Sequence, residues 1–133
     1  MEYAKNLLDS TIPKLTRPAM FKEEYSLKDR LDESGRIRRK YPDRVPVIVE
    51  QAKNGTNLVD IDKKKYLVPR DLSLGQFMYV IRKRIKLPPE QAIFLFIDGM
   101  IPPTTTLLNV MDDNHRDKDG FLYITYNGEN TFG

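Results

Sequence analysis

The chain has 133 residues, 40% hydrophobic and 31% charged, with a formal net charge of +3; this is the make-up of one ordinary globular domain with spare length, not of a disordered tail. It has no cysteine, which excludes disulfides, thiolate nucleophiles and zinc–sulfur centres. Its longest strongly apolar run, residues 92–97, falls far short of the ~20 residues needed to span a bilayer, and the N-terminus lacks the apolar core of a secretory signal, so a cytoplasmic protein is expected.

In chain order, residues 1–20 read as an extension or appended segment. Tyr3, Ala4, Leu7 and Leu8 have helical spacing, and Pro13 and Pro18 close any helix there. Residues 26–41 form a charged helix with apolar Leu27, Leu31, Ile37 and Tyr41, ended by Pro42. Residues 44–50 are a short β-branched strand, in which Pro46 suggests an edge or a strand start. Asn54-Gly55 marks a turn, and residues 65–69 make a second strand closed by proline.

Ser73 opens the strongest helix. Ser73 and Gln76 have capping-box spacing, and Leu74, Phe77, Met78, Ile81 and Ile85 then repeat on one face. Arg82, Lys83 and Arg84 crowd its last turns, where positive charge suits the helix dipole; Pro88-Pro89 stops it. Residues 93–97 are a third strand with a turn at Asp98-Gly99, and residues 122–126 a fourth. Strand, strand, helix, strand, strand, with helical material in front, fits an α+β grasp arrangement, although several small α+β folds share that order.

Charge is uneven along the chain. Lys63, Lys64, Lys65, Arg70, Arg82, Lys83, Arg84 and Lys86 face only Asp62 and Asp71 in that stretch, a basic face suited to an acidic partner. Asp112, Asp113, Asp117 and Asp119 lack the glycine and terminal glutamate spacing of a calcium loop and read as an acidic surface loop, with no metal. His115 is the only histidine and no nucleophile has an evident base, so no catalytic residue is assigned.

The run Ile37-Arg38-Arg39-Lys40-Tyr41-Pro42-Asp43-Arg44-Val45-Pro46-Val47-Ile48-Val49-Glu50 resembles the autophagy ubiquitin-like modifiers, the family of the GABA-A receptor-associated protein. So do Asp62-Lys63-Lys64-Lys65-Tyr66-Leu67-Val68-Pro69, Gly75-Gln76-Phe77, Ile81-Arg82-Lys83-Arg84-Ile85 and Ile101-Pro102-Pro103-Thr104. The ending, from Asp119-Gly120-Phe121-Leu122-Tyr123 to Asn130-Thr131-Phe132-Gly133, matches the fungal and plant branch. The resemblance runs from about Phe21 to Gly133. Tyr25-Ser26-Leu27 departs from it, standing where the family usually carries a proline followed by an aromatic.

The resemblance implies a ubiquitin-like β-grasp: a four-stranded mixed sheet with a crossover helix, preceded by two N-terminal helices. The expected organisation is a helical subdomain over 21–44, the β-grasp over 45–126 and a conjugation tail over 127–133. The resemblance further implies no cofactor, and trimming by the family protease to Gly133. Activating and conjugating enzymes would then join that glycine to phosphatidylethanolamine, placing the protein on autophagosome membrane and in the vacuole or lysosome. Glycine suits the role because a carboxylate threaded through narrow clefts tolerates no Cβ.

It implies, too, that acidic peptides with an aromatic residue, two spacers and an aliphatic residue add a strand beside residues 65–69. The aromatic pocket then falls to Glu33, Ile37, Pro46, Lys63, Lys65, Leu67 and Phe121. The aliphatic pocket falls to Tyr66, Val68, Pro69, Leu72, Phe77 and Val80, of which Phe77 reads equally well as core. Arg44 and Lys64 join the neighbouring lysines in meeting acidic flanks. Phe121 is expected on a surface pocket, since Leu122 and Ile124 must face the opposite way.

Two other readings belong beside this one. The basic face permits a constitutive adaptor for tubulin or another acidic partner, without conjugation; no nucleic-acid motif accompanies it. Residues 1–20 would dock in a peptide pocket of their own or a neighbouring molecule, helped by tethering.

Overall fold

The computed structural model describes residues 19–52 and 58–128. The helical turns expected near Tyr3, the Asn54-Gly55 turn and Gly133 lie outside them. A short α1 (Phe21–Glu24) and a longer α2 (Leu27–Lys40) precede β1 (Arg44–Gln51) and β2 (Lys65–Pro69). Then follow α3 (Leu74–Arg84), β3 (Phe94–Phe96), α4 (Leu108–His115) and β4 (Leu122–Asn127). The sheet order is β2-β1-β4-β3. β1 runs antiparallel to β2 and parallel to β4, and β3 pairs antiparallel with β4, so the sheet is mixed and α3 lies in the connection between its halves.

Alternation along the strands divides the molecule into two apolar layers. Val45, Val47 and Val49 of β1 and Leu122, Ile124 and Tyr126 of β4 join Leu74, Phe77 and Ile81 of α3 in the main core. Ile48 and Phe121 face the other way, under Phe21, with Ile37 and Tyr123 packed alongside. The N-terminal helices therefore cover the sheet face that α3 leaves open.

Local chemistry explains where the helices begin. Ser73 Oγ accepts from Gln76 N at 3.1 Å while Gln76 Oε1 accepts from Ser73 N at 2.9 Å, the reciprocal cap read from the sequence. Ser26 Oγ accepts from Asp29 N at 3.1 Å and starts α2. The serine that departs from the family pattern thus supplies a cap of its own.

Of the two readings of Pro46, the strand start holds and the edge does not: β1 begins at Arg44 and is a central strand. The proline is tolerated because pairing with β4 starts only opposite Val47, through Leu122, so a missing N–H at Pro46 breaks no ladder bond to that neighbour. The acidic segment is half helical, since α4 (Leu108–His115) takes in Asp112 and Asp113 but not Asp117 and Asp119, and it is not all surface, since Asp112 and Asp119 are fully buried.

Candidate functional site

The sheet has an open side at β2. Val49 N–H donates to Lys64 O at 2.8 Å, and Val45 and Val47 stand opposite Val68 and Tyr66. By the alternation of an antiparallel ladder, Tyr66 and Val68 bond toward β1, so the amide and carbonyl groups of Lys65 and Leu67 turn to the free edge. Among the described residues β2 pairs with β1 alone. The Leu67 carbonyl is partly covered, since Arg44 Nη1 donates to it at 3.3 Å.

The sequence-selected residues divide between the two faces of this strand. Toward α2, Lys65 Nζ is ion-paired with the Glu33 carboxylate, Leu67 is half-buried opposite Pro46, and Ile37 packs on the Phe21–Ile48–Phe121 cluster. Toward α3, Tyr66 meets Phe77 edge-on with ring centroids 5.6 Å apart, and Lys63 Nζ stands 5.1 Å over the Tyr66 ring. Pro69 and Leu72 are half-buried and Val80 is exposed. The candidates therefore form two flanks of one edge.

Phe121, Val68 and Lys64 differ from expectation, and Phe77 takes the core reading of its two. Phe121 does lie on the face opposite Leu122 and Ile124, but it is only 1% exposed, capped by Phe21 in an edge-to-face contact at 5.4 Å; it is a floor, not a surface wall. Phe77, also 1% exposed, and Val68, at 3%, belong to the main core. Lys64 is not a free surface cation: its Nζ donates to Glu50 Oε2 at 3.1 Å and to Ala19 O at 2.6 Å. Glu50 Oε2 in turn accepts from Phe21 N at 2.6 Å, so Lys64 and Glu50 hold α1 on the sheet.

Two buried carboxylates carry most of the remaining polar order. Asp112 takes both guanidinium nitrogens of Arg38, at 2.7 and 3.0 Å, and Arg116 at 2.8 Å, with Arg70 at 3.5 Å. Burial by itself would raise the Asp112 carboxyl, yet hydrogen bonds from Arg38 and Arg116 and their charges prevail and hold it below the usual range. Asp119 meets Arg30 at 2.7 Å and the Tyr123 hydroxyl. Burial first, and then the Asp119 carboxylate, push the Tyr123 hydroxyl far up. These acids are structural anchors for α2, a role that their spacing in the sequence did not reveal.

Among the described residues no cluster of three or more His, Cys, Asp or Glu side chains is placed to hold a metal, and no helix is long and apolar enough to cross a membrane.

Known proteins share this architecture. Residues 29–133 match the family model described as autophagy protein Atg8 ubiquitin like. Autophagy-related protein 8 of Schizosaccharomyces pombe is 59% identical over 115 residues, covering 86% of this chain and 94% of that protein. Autophagy-related protein 8d of Arabidopsis thaliana is 58% identical over 113 residues, covering 85% and 93%. The crystal structure of Trypanosoma brucei ATG8 superposes with a TM-score of 0.79 at 34% identity, covering 88% of this chain and all of that one. With the β-grasp sheet and its two leading helices already in place, these matches mean that the chain belongs to the Atg8 family of ubiquitin-like autophagy proteins.

Proposed function

We propose that this protein is a conjugated adaptor. Its Gly133 carboxylate is joined to phosphatidylethanolamine, and the β2 edge then recruits cargo receptors and autophagy proteins through acidic aromatic-x-x-aliphatic peptides. The observation that carries the docking half is the free edge of β2, with the outward amide and carbonyl groups of Lys65 and Leu67 between two apolar flanks. A visiting strand gains main-chain bonds there, and its two anchors reach opposite sides of the strand. Each buried anchor contributes about 1.5–3 kcal/mol. Ordering the peptide offsets much of this, so a dissociation constant around micromolar is expected.

Lipid joined to Gly133 would dominate membrane residence. Basic residues near an anionic leaflet contribute about 1 kcal/mol each, whereas two acyl chains, at about 0.8 kcal/mol per buried methylene, contribute on the order of 20 kcal/mol. The last described residue of the final strand is Asn127, and the six residues from there to Gly133 reach about 20 Å when extended.

The electrostatic adaptor reading is weakened by pairing within the molecule. Lys64, Lys65, Arg70 and Arg84 each have carboxylate partners among the described residues. Binding to acidic partners through the remaining cations would fall steeply with salt, while anchored docking falls mildly.

Two experiments test the proposal. Incubation with the family's activating and conjugating enzymes, ATP and phosphatidylethanolamine liposomes should add one lipid mass at Gly133; an unchanged mass counts against conjugation. In peptide titrations Leu67→Ala should weaken binding about tenfold, more than Lys64→Ala. Equal affinity for Leu67→Ala and the parent would remove the pocket assignment.

A further inference from the structure

The upstream segment joins the described body beside the open strand. The carbonyl of Ala19 is fixed by Lys64 Nζ at 2.6 Å, and Lys64 immediately precedes β2. Ala19, the first described residue, with eighteen residues before it in the sequence, therefore stands at the Lys65 end of the edge. A concavity of about 420 Å³ opens at the same place, between Phe21, Glu24 and Tyr25 on one side and residues 62–65 on the other.

That segment carries the chemistry the edge is expected to take. Glu2 precedes the aromatic Tyr3, and the aliphatic Leu7 and Leu8 follow four and five positions later. We propose that residues 2–8 are a tethered occupant of this chain's own β2 edge, Tyr3 at the Lys65 end and Leu7 and Leu8 toward Pro69, holding external peptides off until they compete. The inference rests on the docking reading above and adds regulation to it.

Reach allows the arrangement. A five-residue strand such as β2 spans about 17 Å. The ten residues 9–18, which must return from the Pro69 end to Ala19, span up to about 33 Å. Charge favours it as well, because Glu2 at the Lys65 end would lie near exposed Lys63 and beside Lys65, which already pairs with Glu33.

Strength must be modest. Tyr3 and Leu7 are separated by three residues instead of two, and Asn6 stands where an aliphatic anchor belongs. A free peptide of that pattern should bind only at about 100 μM, but tethering supplies an effective concentration of about 1 mM. The edge would then be free roughly one part in eleven, and external peptides would bind about tenfold more weakly than to an empty edge.

The test uses the full chain carrying Tyr3→Ser and Leu7→Ser, positions outside the described residues, titrated with a synthetic acidic Trp-x-x-Leu peptide. The double variant should bind the peptide about five- to tenfold more tightly than the parent, by a factor independent of protein concentration. Equal or weaker binding overturns the inference, as does a factor that grows with protein concentration, which would mean that a second copy supplies the segment. If the peptide binds neither protein, the docking reading itself fails and carries this inference with it; binding to both that is equal and sensitive to Leu67→Ala sinks the inference alone.

Discussion

At Gly120 one missing Cβ decides how α2 meets the sheet. The residue has φ +93°, and an added Cβ would stand 2.2 Å from Ser34 Oγ and 2.9 Å from its Cβ. Ser34 Oγ donates to the Asp119 carbonyl at 2.6 Å, so the contact cannot open without losing that bond. Gly120→Ala should destabilise the fold by about 2–3 kcal/mol, combining left-handed strain with a displaced buried hydroxyl. Urea unfolding measures it, and a loss below about 0.5 kcal/mol would contradict this account. Asp112 is the second decisive residue. Asp112→Asn leaves the facing arginines without their carboxylate and should cost about 3 kcal/mol near neutral pH. The sign with pH follows from a folded carboxyl held below its unfolded value. Its contribution is complete above the unfolded value and is lost as pH falls below about 4, through the folded value. The stability gap between parent and variant should therefore narrow on acidification; a gap that widens there would reverse the argument.

At the scale of elements, α1 is too short to persist alone and is held by contacts distant in sequence. Its Phe21 is 3% exposed and meets Tyr25, Phe121 and Tyr123, while Glu50 takes its amide. Phe21→Ala should cost about 3 kcal/mol or more, seen by circular dichroism in denaturant; a loss under 1 kcal/mol would make α1 an ornament. The elements that were legible in the sequence were those whose signals are local. The Ser73–Gln76 box and its apolar repeat gave α3, and β-branched runs closed by proline or Asp98-Gly99 gave the strands. α4 was not legible, because its support is tertiary. Leu108 N and Asn109 N donate to the carbonyls of Leu72 and Arg70, and Leu107 offers no side-chain cap. Phe121 was assigned the right face but not its depth, since burial depends on Phe21, a hundred residues earlier. The acids at 112 and 119 read as solvated charge for the same reason: their arginine partners Arg38 and Arg30 come from α2.

For the whole molecule, one sheet presents an edge strand and a central strand that leads to the tail. β1 is locked between β2 and β4, leaving β2 with an open side, while β4 leads toward the C-terminal tail. The two flanks of β2 come from different layers, α2 on one and α3 on the other, which is why the family resemblance, and not spacing within this sequence, nominated these residues. The most direct measurement is amide mapping by nuclear magnetic resonance during titration with a synthetic acidic aromatic-x-x-aliphatic peptide. The account predicts that Lys65 and Leu67 lose solvent exchange and shift most, with Ile37 and Val80 following on either side. Shifts confined to Arg82, Lys83 and Lys86, with residues 65–69 unmoved, would contradict it.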